Sequence, residues 1–233
     1  MGERDPNGGV AVIRPALVLS RVLHRYDGTT AVEHLTLSVP TRSLYGLLGP
    51  RGAGKSTVLD IAAGLRQPTS GRVRVFGVDP SSDPTAVTGL VGSSPRHTPE
   101  LAALTARELL VRAGTRRGLE AEVAARHAQE LLHAFALGEV ADRVIADSPA
   151  GTWQRLAVAA AMPHFPRLLV LDDPFAGAGA HDVEIITTLL RRYVSAGRTV
   201  LLATDSRALA ERTCTHLAVL DRGRLTGQRI LPA

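Results

Sequence analysis

One octapeptide restricts the fold of this 233-residue chain more than any other feature. Residues 49–56 read Gly-Pro-Arg-Gly-Ala-Gly-Lys-Ser, which matches the pattern G-x-x-x-x-G-K-[ST] in full, and Thr57 follows. The pattern requires a β-strand before it and an α-helix after it. The apolar run 44–48 and the helix-favouring run 55–63 supply both. We therefore predict a strand–loop–helix unit whose loop amides and helix N-terminus surround an anion.

Lysine usage points to the same loop. Of the 27 basic residues, Lys55 is the one lysine and the other 26 are arginines. A compact ammonium on a slender stem can reach the β- and γ-phosphates of a nucleotide, which the planar fork of an arginine does not imitate. The predicted nucleotide-binding residues are Gly49, Pro50, Arg51, Gly52, Ala53, Gly54, Lys55, Ser56 and Thr57.

A phosphate loop of this kind needs a carboxylate on a neighbouring strand to hold a magnesium ion. Asp172 directly follows the apolar run 168–171, which is typical of a parallel strand buried on both faces. We predict that Asp172 and the Ser56 hydroxyl are the metal ligands. The adjacent Asp173 is predicted to be the catalytic group that orients or deprotonates the attacking water.

Strand-like and helix-like runs alternate along the chain, which predicts an α/β fold with a P-loop nucleoside triphosphatase core and a mixed, mostly parallel sheet. Residues 16–22 and 35–39 predict an antiparallel β part near the N-terminus, after a polar arm ending near residue 15. Residues 98–150 are helical in pattern and too long for one crossover. We therefore predict one domain over 1–233, with a core of residues 1–97 and 151–233 and an inserted helical subdomain of residues 98–150.

The composition of the chain limits the cellular compartments and the classes of binding partner that we expect. The single cysteine, Cys214, excludes a disulfide framework, and no apolar run is long enough to span a membrane. We expect a soluble cytoplasmic protein. The pI is about 10.3, but the arginines are spread along the chain and aromatic residues make up only 3%. We therefore expect no nucleic-acid partner.

Further motifs surround the phosphate loop. Tyr26 lies in a turn-prone stretch upstream of it, Gln154-Arg155-Leu156 opens a helical run, and residues 219–225 read VLDRGRL. Together these segments resemble the ATP-binding subunit of an ATP-binding-cassette (ABC) transporter over about residues 16–227. The likeness is strongest to the short cassettes of bacterial drug and antibiotic exporters.

The resemblance implies ATP and Mg²⁺ as cofactors, with Tyr26 stacked on the adenine. It also implies a dimer, of the chain with itself or with another ATP-binding subunit, because in this family each nucleotide lies between the P-loop of one subunit and the signature motif of the other. The helical subdomain is expected to contact a separate transmembrane permease, which places the subunit on the inner face of the cell membrane.

Several family positions carry different residues here. In place of the family's signature Leu-Ser-Gly-Gly-Gln, this chain has Ser148-Pro149-Ala150-Gly151-Thr152, and in place of the segment Gly-Leu-Asp it has Gly177-Ala178-Gly179. Three single positions also differ. The family's glutamine after the fifth strand is Arg96 here, its catalytic glutamate is Asp173 and its switch histidine is Asp205.

These differences are expected to weaken hydrolysis more than binding. The carboxylate of Asp173 is one methylene short of the family's glutamate, and Asp205 puts negative charge where a donor would meet the γ-phosphate. Arg96 is expected to offset this loss, either by pairing with Asp205 or by contacting the γ-phosphate. The main hypothesis is an ATP-binding subunit that couples ATP binding and slow hydrolysis to export. The alternative is a non-hydrolysing ATP-binding regulatory module of a membrane complex.

Overall fold

The computed structural model describes residues 15–149 and 151–232. The predicted polar arm therefore lies outside the described residues, apart from its last position. Ala150 of the signature segment lies outside them as well.

Nine strands and eight α-helices are present in the described part of the chain. The strands are β1 Leu17–Tyr26, β2 Thr29–Val39, β3 Leu44–Leu48, β4 Ser70–Val75, β5 Val91–Ser93, β6 Leu168–Asp172, β7 Thr199–Thr204, β8 His216–Asp221 and β9 Arg224–Ile230. The helices are α1 Lys55–Ala62, α2 Pro84–Leu90, α3 Pro99–Ala102, α4 Ala106–Thr115, α5 Ala121–Ala134, α6 Thr152–Ala160, α7 Ala180–Ser195 and α8 Arg207–Thr213.

The strands form two sheets, as the sequence predicts. The larger sheet has six strands in the order β5-β6-β7-β3-β8-β9, in which every pairing is parallel except that of β8 with β9. The smaller sheet is antiparallel, with the order β2-β1-β4. This arrangement confirms the α/β fold with a mixed, mostly parallel sheet and an antiparallel N-terminal part.

Both faces of the larger sheet are buried, which explains the continuous apolar runs of its strands. Along β6, Leu168 and Val170 face α1 and the antiparallel sheet. Leu169 and Leu171 face the other side, where α6, α7 and the helices of residues 106–134 pack. Helix α1 is thus held between the two sheets, with the phosphate loop at its N-terminus.

The predicted helical segment contains α3, α4 and α5, and two short 3₁₀ turns follow α5. Helix α4 begins with a capping box in which Thr105 and Glu108 satisfy each other's backbone amides. The side chains of Leu110, Leu132 and Phe135 lie in the same apolar cluster as the sheet face above. Limits of the helical subdomain at residues 98 and 150 stay a prediction.

Strands β3 and β7 have the bounds that the sequence runs 44–48 and 199–204 predict. The sequence analysis did not predict β5, α2 or α8. A three-residue strand and seven-residue helices are too short to show a recognisable hydrophobic period. Within the described ranges, no helix combines the length and the apolar character that crossing a bilayer requires.

Candidate nucleotide-binding site

The carboxyl ends of three adjacent parallel strands bring the predicted site residues together. β3 lies between β7 and β8, and β6 lies on the far side of β7. Leu48 pairs with Thr204 and Asp172 pairs with Ala203. The phosphate loop after β3, the aspartates at the end of β6 and Asp205 after β7 therefore meet at one edge of the sheet.

Close backbone approaches fix the shape of the phosphate loop. A Cβ added at Gly49 would lie 2.2 Å from the carbonyl oxygen of Leu220, and one at Gly54 would lie 2.3 Å from that of Ala31. Gly54 also has a φ of 94°, which glycine adopts without steric cost. Any side chain at either position would force the loop away from its neighbours, so the motif's two glycines are required by contacts as well as by conformation.

Lys55 begins α1 and its ammonium folds over the loop. Nζ donates hydrogen bonds to the carbonyl oxygens of Gly49 (2.6 Å) and Pro50 (2.9 Å). The charged group is thus held at the concave side of the loop, at the N-terminal end of a helix. Both the helix dipole and the ammonium favour a negatively charged ligand at this point.

A cleft of about 300 Å³ opens between the loop and the strand ends. Its charged lining consists of two cations and three carboxylates, namely Arg51, Lys55, Asp172, Asp173 and Asp205. The cleft is continuous in its lining with a larger one of about 740 Å³, which shares Ser56, Asp172 and Asp173 and extends to α6.

Asp173 is the half-buried carboxylate of this group. Its backbone φ is 45°, in the left-handed region, and its amide donates to the carbonyl oxygen of Ala203 (3.0 Å). Burial raises the pKa of Asp173 above its ordinary value, and the neighbouring carboxylates of Asp205 and Asp172 raise it further. The hydroxyl of Thr204 and the ammonium of Lys55 lower the pKa of Asp173, but by less than the other effects raise it.

The residues present fit a magnesium nucleotide. Ser56 and Asp172 both have exposed side chains and line the same cleft. The Asp172 amide donates to the Ser94 hydroxyl oxygen (3.2 Å), which fixes the end of β6. One hydroxyl and one carboxylate are the protein ligands that Mg²⁺ usually takes beside nucleotide phosphates, since it keeps several waters. The glycine cradle described above has the shape and polarity that phosphates need.

Comparison with known proteins decides the family. The sequence profile of the ABC transporter family matches residues 32–176. This chain belongs to the ABC transporter family. It is an ABC-type ATP-binding domain with the P-loop fold, from a family whose members are generally ATP hydrolases.

Similar proteins include two curated bacterial ATP-binding proteins. The chain is 36% identical to the daunorubicin/doxorubicin resistance ATP-binding protein DrrA of Streptomyces peucetius over 213 residues, which cover 91% of this chain and 64% of DrrA. It is 32% identical to the Nod factor export ATP-binding protein I of Sinorhizobium fredii, covering 90% of this chain and 61% of that protein. The chain thus spans less than two thirds of the length of these two relatives.

A solved ABC cassette has the same fold. The dimeric structure of an ATP-binding cassette bound to ADP and phosphate, in a post-hydrolysis state, superposes with a TM-score of 0.85. The two share 22% sequence identity, and the match covers 93% of this chain and 99% of that one. At this identity the comparison establishes the fold.

Tyr26 ends β1 beside the first turn of α1. Its hydroxyl lies 3.3 Å from the Thr57 hydroxyl, and the Arg66 guanidinium covers its ring at 4.8 Å from the ring centre. The ring of His24 meets it edge-on at 4.6 Å. Tyr26 is 38% exposed, so part of the ring stays available to a base. Adenine stacking on Tyr26 stays a prediction.

The predicted ion pair between Arg96 and Asp205 is not formed in this ABC domain. Arg96 Nη2 instead donates to Asp60 Oδ2 on α1 at 2.7 Å. Asp60 also lies 3.6 Å from Nε of Arg66, the residue that covers Tyr26. Asp60 is the nearer acceptor because Arg96 lies in the loop after β5, on the α1 side of the larger cleft. Contact of Arg96 with a γ-phosphate is not tested by this geometry.

The signature segment leads into α6, which begins at Thr152. Gly151 has a φ of 86°, and a Cβ there would lie 2.1 Å from Asp182 Oδ2 at the start of α7. Asp182 Oδ1 forms an ion pair with Arg155 Nε at 2.8 Å. Pro149 has no backbone N–H to offer to a ligand. The segment 148–152, which we call the signature turn, is therefore held against α7 by the packing of Gly151 on Asp182 and by the ion pair between Arg155 and Asp182.

Sequence reasoning missed three residues that organise this site. Asp60 and Arg66 link Tyr26 with Arg96, and the Thr204 hydroxyl lowers the pKa of Asp173. The residues that they link lie more than 30 positions apart in sequence, so no local sequence pattern predicts these contacts. Only Thr204 could have been predicted from the sequence, because it ends a buried strand and directly precedes the predicted site residue Asp205.

Proposed function

We propose that this chain is the ATP-binding subunit of an exporter-type ABC transporter that couples ATP binding and slow hydrolysis to transport through a separate membrane permease. The observation that carries the proposal is the cleft in which Lys55 of the phosphate loop faces Asp172 and Asp173 across the sheet edge. The names of the two relatives, a drug-resistance ATP-binding protein and an export ATP-binding protein, support the transport assignment.

The binding step follows from the loop. Amides of residues 52–56 and the α1 N-terminus hold the phosphates, while the Lys55 ammonium exchanges the Gly49 and Pro50 carbonyls for phosphate oxygens. Ser56 and Asp172 hold Mg²⁺, which neutralises phosphate charge when bound. Tyr26 offers its ring to the adenine, with the Arg66 guanidinium stacked on that ring.

The hydrolytic step is where this chain is weak. Asp173 is the group that orients the attacking water, and its short side chain leaves the carboxylate about 1 Å from the place that the family's glutamate reaches, which can cost ~100-fold in rate. Asp205 adds repulsion toward the γ-phosphate where a donor would stabilise the transition state. A lost donor of this kind typically costs ~100–1000-fold.

The assembly that we propose is a dimer docked on the permease at the inner face of the membrane. In such a dimer each nucleotide is shared between one subunit's phosphate loop and the other's signature turn. The substitutions at Asp173 and Asp205 affect the first surface and Pro149 affects the second, so this chain weakens both sites whether its partner is identical or different. Slow turnover is therefore expected of either dimer.

The test is steady-state phosphate release at saturating Mg-ATP, by the purified chain alone and with a co-expressed permease. We expect turnover well below the ~1–1000 s⁻¹ common among enzymes. Asp173→Glu and Asp205→His should each help little, whereas the two together with Pro149→Ser and Ala150→Gly should give the largest gain. The gains should not be additive, because these groups act on one transition state.

Two variants make this test decisive. Arg96→Gln should slow the unmodified chain but not the restored one, if Arg96 supplies charge to the γ-phosphate. Asp173→Asn should abolish the residual turnover of the unmodified chain. Rapid hydrolysis by the unmodified chain that survives Asp173→Asn would show that the catalytic carboxylate is misassigned.

The alternative is a non-hydrolysing ATP-binding module that gates or assembles a membrane complex. Crowding of Asp172, Asp173 and Asp205 at the cleft favours it, since it disfavours the charge build-up of hydrolysis. Nucleotide-dependent association with the permease, with no phosphate release under any condition, would select this alternative over the transport ATPase.

A further inference from the structure

Charge in the phosphate cleft is unbalanced. Carboxylates of Asp172, Asp173 and Asp205 face the cations Arg51 and Lys55, so negative side chains outnumber positive ones. Arg96 lies on the larger, adjoining cleft, but its guanidinium is committed to Asp60 at 2.7 Å. In the part of the chain that the structure describes, no arginine or lysine forms an ion pair with Asp205.

The unbalanced charge lies at the far side of the cleft from the loop. Asp173 directly follows β6 and Asp205 directly follows β7, and both side chains line the same cleft. In a P-loop the backbone amides hold the inner phosphates and the lysine reaches outward to the last one. A third phosphate therefore lies nearest to these two carboxylates, whereas a second phosphate lies within the amide cradle.

Magnesium removes only part of the repulsion. Its charge offsets Asp172 for a diphosphate and a triphosphate alike, so Asp172 does not distinguish them. Asp205 is exposed and, among the described residues, is in no ion pair, so its interaction with a third phosphate is the least compensated of the three. At a separation of several ångströms near a protein surface, one such charge pair is enough to change an affinity by about tenfold or more.

We propose that this site binds nucleoside diphosphate more tightly than nucleoside triphosphate, with Asp205 as the residue that sets the preference. Occupancy of the subunit then follows the ratio of ATP to ADP instead of the ATP concentration alone. This inference rests on the nucleotide-binding function proposed above and deepens it, because it names the form of nucleotide that the resting site holds.

The test compares equilibrium affinities of the purified full chain for Mg-ADP and for a non-hydrolysable Mg-ATP analogue by titration calorimetry, with Mg-ATP itself in a competition experiment. We expect ADP to bind about tenfold more tightly. Asp205→Asn should lower that ratio by about tenfold, through tighter triphosphate binding with little change for ADP. Asp142→Asn is the matched control, since it removes the same charge from an exposed site on another part of the fold and should leave the ratio unchanged.

Three other outcomes are possible, and each would contradict a different part of the proposal. Triphosphate affinity equal to or above that of diphosphate in the unmodified chain would overturn the preference while leaving the proposed function in place. An ADP preference that persists in Asp205→Asn, or that disappears equally in Asp142→Asn, would overturn the assignment to Asp205. Absence of binding for both nucleotides would overturn the proposed function itself, and the inference with it.

Discussion

Lys55 combines two properties that seldom occur in one residue: it is the chain's one lysine, and its ammonium sits over the phosphate loop. The carbonyl oxygens of Gly49 and Pro50 hold it there at 2.6 and 2.9 Å. An arginine would bring a wider, planar group that does not fit between the two carbonyls in the same way. Amine chemistry can therefore report on this one position.

Acylation of the amine should be blocked by nucleotide. We expect Mg-ADP to slow the modification of Lys55 at least tenfold, because phosphate oxygens would surround Nζ, whereas adenosine, which lacks phosphates, should not protect. Peptide mapping by mass spectrometry separates Lys55 from the α-amino group. Lys55→Arg should lose about 100-fold in nucleotide affinity. Equal labelling rates with and without Mg-ADP would contradict the assignment of the phosphate loop.

The sequence predicted which residues the structure brings together at the inner cleft, and it missed most of the residues around them. The residues from Gly49 to Thr57 were predictable because the loop is local and its spacing is fixed by backbone geometry. Asp172 and Asp173 were predictable because parallel strands end at a common edge. Of the two roles predicted for Arg96, the ion pair with Asp205 is not formed, because Arg96 binds Asp60 and sequence separation does not report which acceptor lies nearest in space. The other role, contact with a γ-phosphate, stays a prediction.

At the scale of elements, the ion pair between α6 and α7 is the best-protected charge pair near the signature turn. Side chains of Arg155 and Asp182 are only 13% and 14% exposed. A second guanidinium nitrogen of Arg155, Nη1, donates to the carbonyl oxygens of Phe135 and Ala136, directly after α5. One arginine thereby joins the helical segment, the signature helix and α7.

Removing the acid from this pair should destabilise the protein. Asp182→Ala leaves a nearly buried guanidinium without its counter-charge, so we expect a loss of about 3 kcal/mol in unfolding free energy. That corresponds to roughly 6–12 °C in the thermal midpoint, measured by circular dichroism. Asp142→Ala, which breaks the exposed pair with Arg107, is the control and should change the midpoint little. Equal effects of the two variants would contradict the structural role of α7.

Element predictions succeeded where burial was two-sided and failed where elements were short. The runs of β3 and β7 match their strands residue for residue because every position is apolar or small and buried. Helix α6 begins two residues earlier than its pattern predicts, since Gly151 supplies the left-handed turn that starts it. Strand β5 has no pattern of its own, and only its pairing with β6 defines it.

At the scale of the whole molecule, His164 makes stability depend on pH. It lies in the loop between α6 and β6, and its Nε2 is 3.2 Å from the carbonyl oxygen of Val91. Burial and the nearby Arg117 lower the pKa of His164 from 6.5 to about 4, against a smaller opposing effect of the hydrogen bond. The unfolded chain therefore binds a proton at this residue over a range in which the folded chain does not.

The resulting stability loss has a defined sign and window. Because the folded pKa lies below the unfolded one, this contribution is complete above pH 6.5, declines as the pH falls and is gone below about pH 4. We expect a loss of about 1–2 kcal/mol after allowance for solvent screening. Urea unfolding of His164→Gln at several pH values should show a shallower slope in this window. The exposed His181→Gln is the control, and an identical slope for His164→Gln would contradict this origin.

Strand β3 lies between β7 and β8, and the turn between β8 and β9 supports the phosphate loop that follows β3. Gly223 donates its amide hydrogen to the carbonyl oxygen of Ala53 at 3.0 Å, and its own carbonyl oxygen accepts from Glu33. During synthesis at about 5–20 residues per second, the roughly 150 residues between β3 and β7 take about 8–30 s to appear. Over that interval the phosphate loop lacks both strands that flank β3 and the turn that supports it, so it reaches its final shape only after β8 and β9 have been synthesised.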